Sequence, residues 1–282
     1  MSADHELHIS GLTVGYHDVD VLHDVDLAIP SGKVTVIVGA NACGKSTLLK
    51  AVSRLLKPRA GVVMLDGRAV HRTPPKQLAR VMGVLPQAPV APEGITVADL
   101  VGRGRHPHQK IVARWSAADD AAVAEALNAT DTAELAERSV DELSGGQRQR
   151  VWIAMALAQD TDVLLLDEPT TYLDVSHQIE VLDLLAELNA LRGTTIVMVL
   201  HDLNMAARYA DHLIAMKSGE VRATGTPASV LTAEIVQDVF GLDSVVIDDP
   251  VSGTPLVVPR SRAASSTPPV RAEHDAPRPS PR

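Results

Sequence analysis

The stretch "GANACGKST", Gly39 to Thr47, limits what this chain can fold into more than any other feature. It fits G-x-x-x-x-G-K-[ST], follows the apolar β-branched run "VTVIV" (Val34 to Val38) and opens the helical pattern "KSTLLKAVSRLL". In that context glycines let backbone N–H groups turn inward around phosphate oxygens, and the helix adds the positive end of its dipole. Gly39, Asn41, Gly44, Lys45, Ser46 and Thr47 are therefore expected to form a phosphate cradle. Lys45 would meet the β- and γ-phosphates of a nucleotide, and the Ser46 hydroxyl would bind Mg²⁺.

Two more short apolar runs, "VLLLD" (Val163 to Asp167) and "TIVMVLH" (Thr195 to His201), alternate with longer helical patterns, as in a mostly parallel sheet covered by helices. After Asp174 the residues Ile179, Leu182, Leu185, Leu188 and Leu191 recur every three positions, with Val181 and Leu184 widening the stripe, and Gly193 is placed to stop the helix. Between about Gln87 and Asp160 the strand signal gives way to Ala-rich helical sequence such as "AADDAAVAEALNAT", which predicts a helical insertion in the α/β core. From Pro259 the chain is rich in Pro, Ser, Ala and Arg and short of large apolar residues, the composition of a disordered tail.

The run "VLLLDEPT" presents Asp167 and Glu168 where a parallel strand opens onto its ligand crevice. Two acidic residues at a strand end are often a helix cap or a solvated turn, but the upstream cradle argues for chemistry. Asp167 suits Mg²⁺, and Glu168 can orient or deprotonate an attacking water. His201, which ends the next strand beside Asp202, is a candidate for contact with the γ-phosphate and that water. A second glycine turn, "LSGGQRQR" (Leu143 to Arg150), also precedes a helical pattern and has the same phosphate-binding look.

Composition excludes several classes. The chain has 282 residues and a formal charge of −9, with two Trp, three Tyr and one Phe, so it lacks the basic face and stacking aromatics that grip nucleic acid. The single cysteine, Cys43, forms no internal disulfide, and "MSADHELHIS" has neither the positive start nor the apolar run of a signal peptide, which points to the cytoplasm. No apolar run approaches the roughly 18 residues needed to cross a bilayer, so a membrane role would be played from its surface or through a partner.

The ordered set "GANACGKST", "LPQ" (Gln87), "LSGGQ", "LLLDEPT", "YLD" (Asp174) and "LHD" (His201) resembles the ATPase subunit of an ATP-binding cassette transporter over residues 5–258. The resemblance implies an α/β fold: a P-loop NTPase core with a mostly parallel sheet, an N-terminal antiparallel β portion and a helical subdomain inserted at about 88–160, all within residues 1–258, with 259–282 as the tail. It implies ATP and Mg²⁺ as ligands and a head-to-tail homodimer in which each ATP lies between Lys45 of one subunit and Ser144, Gly145, Gly146 and Gln147 of the other. Tyr16 would stack on adenine, although a tyrosine in "LTVGYHDV" could equally fill a strand face. Gln87 would sense Mg²⁺ and couple to a membrane partner, and Asp174 would cross the dimer interface. This chain departs from the family pattern at Ala40, where proline is usual, and at Ala42, where glycine is frequent. Both changes bear on loop stiffness.

Within that family "VGRGRHPHQ" (Val101 to Gln109), "RWSAADDAAV", "SVDELSGGQRQRVWIAMALAQ", "DEPTTYLDVSHQIEVLDLL" and "IDDPVSGTPLVVP" resemble importer ATPases for ferric siderophores, especially the ferric-enterobactin type. The implied partners are a membrane permease pair, met near Arg103 to Gln109, and a periplasmic or extracellular siderophore-binding protein, with no nucleic acid. The implied location is peripheral, on the cytoplasmic face of the membrane. Importers of haem, a corrinoid or another chelate share the fold, and a non-transport ATPase or a regulatory module without turnover are more distant readings. His106 and His108 alone make an incomplete metal-ligand set. Cys43 reads as a small residue tolerated in the loop, whose alkylation would be expected to block ATP binding.

Overall fold

The computed structural model describes residues 5–109 and 115–261. Strands β1 (Leu7–Tyr16) and β2 (Val19–Ile29) form an antiparallel hairpin in which Leu7, Ile9, Leu12 and Val14 are buried, and a register shift between Ile9 and Leu12 resets the alternation. β3 (Val34–Gly39) is buried throughout and leads into α1 (Lys45–Val52). That helix is shorter than its sequence pattern, because Arg54 takes φ 67°, a left-handed conformation through which an L-residue helix does not continue. β4 (Ala60–Leu65) and β5 (Arg68–Ala69) then complete a sheet of order β2-β1-β4-β5.

α2 (Pro75–Leu78) and β6 (Met82–Leu85) follow. Between β6 and β7 the described chain carries three α-helices and no strand, only one isolated bridge of Thr96 with Ser139: α3 (Val97–Gly102), α4 (Ala117–Ala129) and α5 (Gly145–Ala158), with α4 started by a reciprocal Ser116–Asp119 capping box. β7 (Val163–Asp167), α6 (Val175–Arg192), β8 (Thr195–Val199), α7 (Leu203–Tyr209), β9 (His212–Lys217) and β10 (Glu220–Gly225) return to alternating α/β. The last elements are α8 (Pro227–Val230), α9 (Ala233–Phe240) and a hairpin of β11 (Ser244–Asp248) with β12 (Pro255–Pro259).

The central sheet has the order β10-β9-β3-β8-β7-β6, parallel except for β10. Its side chains alternate between two cores. Val34, Val36, Val38, Leu164, Leu166, Ile196 and Met198 pack toward the helical side. Ile37, Val163, Leu165, Val197 and Val199 pack toward α1 and the antiparallel sheet. Burial on both faces explains why these strands read as unbroken apolar runs, and each such side chain contributes about 1.5–3 kcal/mol. Register places Val199 beside Ile37 on one flank and Asp167 on the other, so the carboxyl ends of β3, β7 and β8 open on one edge.

Two expectations need adjustment. Along α6 only Val181, Leu182 and Leu185 are buried, and Leu191 is 84% exposed. A spacing of three drifts around a helix of 3.6 residues per turn, so the far end of that row leaves the covered face. Gly193 does end the helix, at φ 70°, its N–H bonded to the carbonyl of Asn189. The expected tail begins inside β12 at Pro259, and Arg260 still donates its N–H to the carbonyl of Asp243 at 2.8 Å. Residues 262–282 lie outside the described residues, as do 1–4.

Candidate functional site

The glycines of the β3–α1 turn are there for space as well as torsion. A Cβ on Gly39 would lie 2.4 Å from the carbonyl oxygen of Met216, and one on Gly44, at φ 109°, would lie 2.8 Å from Leu22 Cδ2. Ala42 takes φ 61° without being glycine, a strained choice for an alanine. The turn is braced from the β9–β10 connection: Gly219 donates its N–H to the carbonyl of Cys43 at 2.9 Å and accepts the N–H of His23 in β2 at 3.1 Å. A Cβ on Gly219 would sit 2.1 Å from the carbonyl oxygen of Val21.

Inside the turn the Lys45 ammonium is buried and donates to the carbonyls of Gly39 at 2.9 Å and Ala40 at 3.0 Å. Ser46 Oγ donates to Asp167 Oδ1 at 2.9 Å, which joins the start of α1 to the end of β7. Burial pushes the Asp167 carboxyl up, against the Ser46 hydrogen bond and the charges of Lys50 and Lys45. Glu168, at φ 55°, brings the next carboxylate to the cleft, and its Oε1 lies 2.6 Å from His201 Nε2. Burial raises the Glu168 carboxyl, but hydrogen bonds from His201, Gln87 and Thr171 outweigh it and the net shift is downward.

These residues surround a cleft of about 560 Å³ lined by Tyr16, Val21, Asn41 to Thr47, Gln87, Glu168 and His201. Nearly all of the expected cradle and catalytic set is thus in one place, with Gly39 and Asp167 joined to it through Lys45 and Ser46. Tyr16 is 42% exposed, with Lys50 Nζ 6.0 Å from its ring centroid. Cys43 lines the cleft but is 5% exposed, and a Cβ on Gly39 would come within 2.6 Å of its sulfur.

The glycine turn at 143–150 is not part of that lining. Ser144 is the N-cap of α5: its hydroxyl accepts the Gln147 N–H at 3.2 Å, and the Gln147 side chain accepts the Ser144 N–H at 3.1 Å. Ser144 and Gly145 are exposed and Gly146 is half-buried. Asp174 likewise caps α6 from outside the cleft. Its Oδ1 accepts the His177 N–H at 3.0 Å and the Ser176 hydroxyl at 2.9 Å, which hold its carboxyl down to about 2. His108 Nε2 is engaged with the Gln159 carbonyl at 2.7 Å. Sequence reasoning missed Thr171, which donates to Glu168 Oε2 at 3.2 Å, and the buried Gln149, which donates to the Pro169 carbonyl at 2.9 Å. Only their position inside or beside recognised motifs could have flagged them.

A family model described as ABC transporter matches residues 22–171. The chain is 55% identical over 251 residues to the achromobactin transport ATP-binding protein CbrD of Dickeya dadantii (strain 3937), covering 89% of this chain and 93% of that one. It is 53% identical over 256 residues to the ferric enterobactin transport ATP-binding protein FepC of Escherichia coli (strain K12), covering 91% and 94%. Among solved structures, the dimeric post-hydrolysis state of the ATP-binding cassette MJ0796 bound to ADP and Pi matches with TM-score 0.70 at 30% identity, covering 78% of this chain and 98% of that one.

Proposed function

From the premise that this chain belongs to the ATP-binding cassette transporter family, we propose that it is the ATP-hydrolysing subunit that energises import of a ferric siderophore through a membrane permease. The observation that carries the substrate class is identity of 53–55% to siderophore ATPases over about nine-tenths of both chains. The cleft supports the chemistry, because the side chains needed to hold a nucleoside triphosphate and activate water converge there.

In this reading residues 1–258 form one ATPase domain with the helical subdomain at 88–160. Lys45 exchanges its two loop carbonyls for the β- and γ-phosphates, and the N-terminal end of α1 adds its dipole. The Ser46 hydroxyl, the Asp167 carboxylate and the Gln87 amide form an oxygen donor set of the kind Mg²⁺ takes beside phosphates, and would hold it. When bound, the ion neutralises charge on the phosphates. Glu168 orients and deprotonates the attacking water, His201 contacts that water and the γ-phosphate, and Tyr16 stacks on adenine.

Two copies pair head to tail, so that Ser144, Gly145, Gly146 and Gln147 of one close on the nucleotide held by the other, with Asp174 at the interface. The dimeric state of the MJ0796 cassette, a relative, supports pairing of two copies. No helix among the described residues is long and apolar enough to cross a membrane; in this reading a partner permease supplies the conduit. The permease docks near Gln87 and Arg103 to Gln109, a turn tied down by Arg80 Nε to the Pro107 carbonyl at 2.8 Å and by Lys76 to the Gln109 carbonyl. An external siderophore-binding protein delivers the cargo, and the subunit works from the cytoplasmic face.

The test is uptake of radiolabelled iron from a panel of ferric siderophores in iron-starved cells whose only copy carries Glu168→Gln. Loss confined to one chelate class establishes role and substrate. Normal uptake of every siderophore, with loss of haem or corrinoid uptake, would replace the substrate class.

A further inference from the structure

A general base must be aimed as well as ionised, and a free glutamate carboxylate turns easily about its last bond. In the cleft, Glu168 Oε1 faces His201 Nε2 at 2.6 Å. Its other oxygen, Oε2, accepts the hydroxyl of Thr171 at 3.2 Å. Thr171 is half-buried and outside the lining of the nucleotide cleft, so it stands behind the carboxylate.

The turn carrying Thr171 is itself tied down. Thr171 donates its N–H to the Glu168 carbonyl at 3.2 Å, and Leu173 donates to the Thr170 carbonyl at 3.3 Å. Gln149 of α5 donates to the Pro169 carbonyl at 2.9 Å, and Gln178 of α6 donates to the Leu173 carbonyl at 3.1 Å. Within it Glu168 and Tyr172 hold φ of 55° and 69°, left-handed torsions that non-glycine residues keep only when their surroundings impose them. The hydroxyl is therefore carried at a set distance from the carboxylate by a backbone braced from two helices.

We propose that Thr171 is a positioning residue of Glu168: its hydroxyl holds Oε2 while His201 holds Oε1, and the two together fix the plane of the carboxylate toward the water that attacks the γ-phosphate. The proposal rests on the reading above in which Glu168 activates that water. In the step it serves, the water oxygen bonds to the γ-phosphorus, the bond to the bridging oxygen breaks with its electrons left on ADP, and the water proton passes to Glu168. Thr171 touches none of these atoms and acts only through the carboxylate.

The experiment compares steady-state ATP hydrolysis and directly measured ATP affinity of the full chain for the wild type, Thr171→Val, Thr171→Ala, Thr171→Ser and Glu168→Gln. Valine keeps the shape and alanine removes the branch, so agreement between them isolates the hydroxyl from packing. The expected result is a kcat about 10-fold lower in both, unchanged KM and ATP affinity, and recovery to within about 3-fold with serine, as befits a misaimed base. Wild-type kcat in Thr171→Val and Thr171→Ala beside an inactive Glu168→Gln overturns the proposal alone. So does a serine variant as slow as valine, or a loss that appears in ATP affinity. A Glu168→Gln chain that turns over normally overturns the base reading, and the role of Thr171 falls with it.

Discussion

At Lys45 a glycine-rich turn feeds α1 with its charged side chain buried and bonded to two carbonyls of the same turn. At Ser144 another glycine turn feeds α5 with the serine exposed and bonded only to its own first turn. Both are helix starts whose first N–H groups have no partner inside the helix. The first is walled by β2, β9 and the ends of β7 and β8, so everything needed to hold a phosphate is supplied by one chain. The second opens outward, an exposed and self-capped helix start without such walls. The difference teaches that a motif can be half a site; in the head-to-tail pairing proposed above, its missing half is a second copy of the same molecule.

The harshest way to test that division is Gly146→Asp, which sets a carboxylate at the start of α5, where the proposed pairing brings a phosphate. Hydrolysis should fall by roughly 10²-fold or more, the scale of losing a donor that stabilises developing charge, while ATP affinity of the isolated chain is unchanged. Weakened binding to the isolated chain, seen by calorimetry, would mean that the two turns serve one site in one chain. Lys45→Ala should do the reverse and fail at binding. Removing one charged hydrogen-bond donor, worth about 1.5–3 kcal/mol, corresponds to roughly 10- to 100-fold weaker ATP binding in the same calorimetric titration.

A subtler probe lies within the cradle. Because the Glu168 carboxyl sits below its ordinary value, its base form survives at high pH and is lost as pH falls through that lowered pKa. His201→Ala removes the first of the interactions that lower it and leaves burial to act, so the acid limb of the residual pH–rate profile should move to higher pH. A limb that stays put would detach Glu168 from the profile. The smallest expected effect is Ala42→Gly. It relieves a left-handed alanine, worth about 1–2 kcal/mol, against an added unfolded-state entropy of about 0.4–1 kcal/mol. The net gain is under about 2 kcal/mol, read as a rise in thermal midpoint without change in ATP affinity.

What the sequence made legible was local. The phosphate turn, the three buried strands and the acidic and histidine strand ends are each written in contiguous residues, and the sheet brings them to one edge without further information. Leu191 was misread because a spacing of three looks periodic until it is wound at 3.6 residues per turn. Thr171 and Gln149 were invisible for a different cause: their importance lies in which backbone or carboxylate they reach, a property of the turn after β7 and not of their own residue type. The brace from Gly219 to Cys43 joins positions far apart in the chain, so no local pattern could announce it.

That brace has a consequence for how the molecule is made. β3, which delivers the phosphate turn, is flanked in the sheet by β8 and β9, both of which come much later in the chain, and its turn is propped by Gly219. A ribosome adding about 5–20 residues per second will have exposed Lys45 for on the order of 10 s before its neighbours exist. Throughout that interval the phosphate turn has neither flanking strands nor prop, and the nascent chain should gain its grip on ATP abruptly, once β9 and Gly219 have emerged.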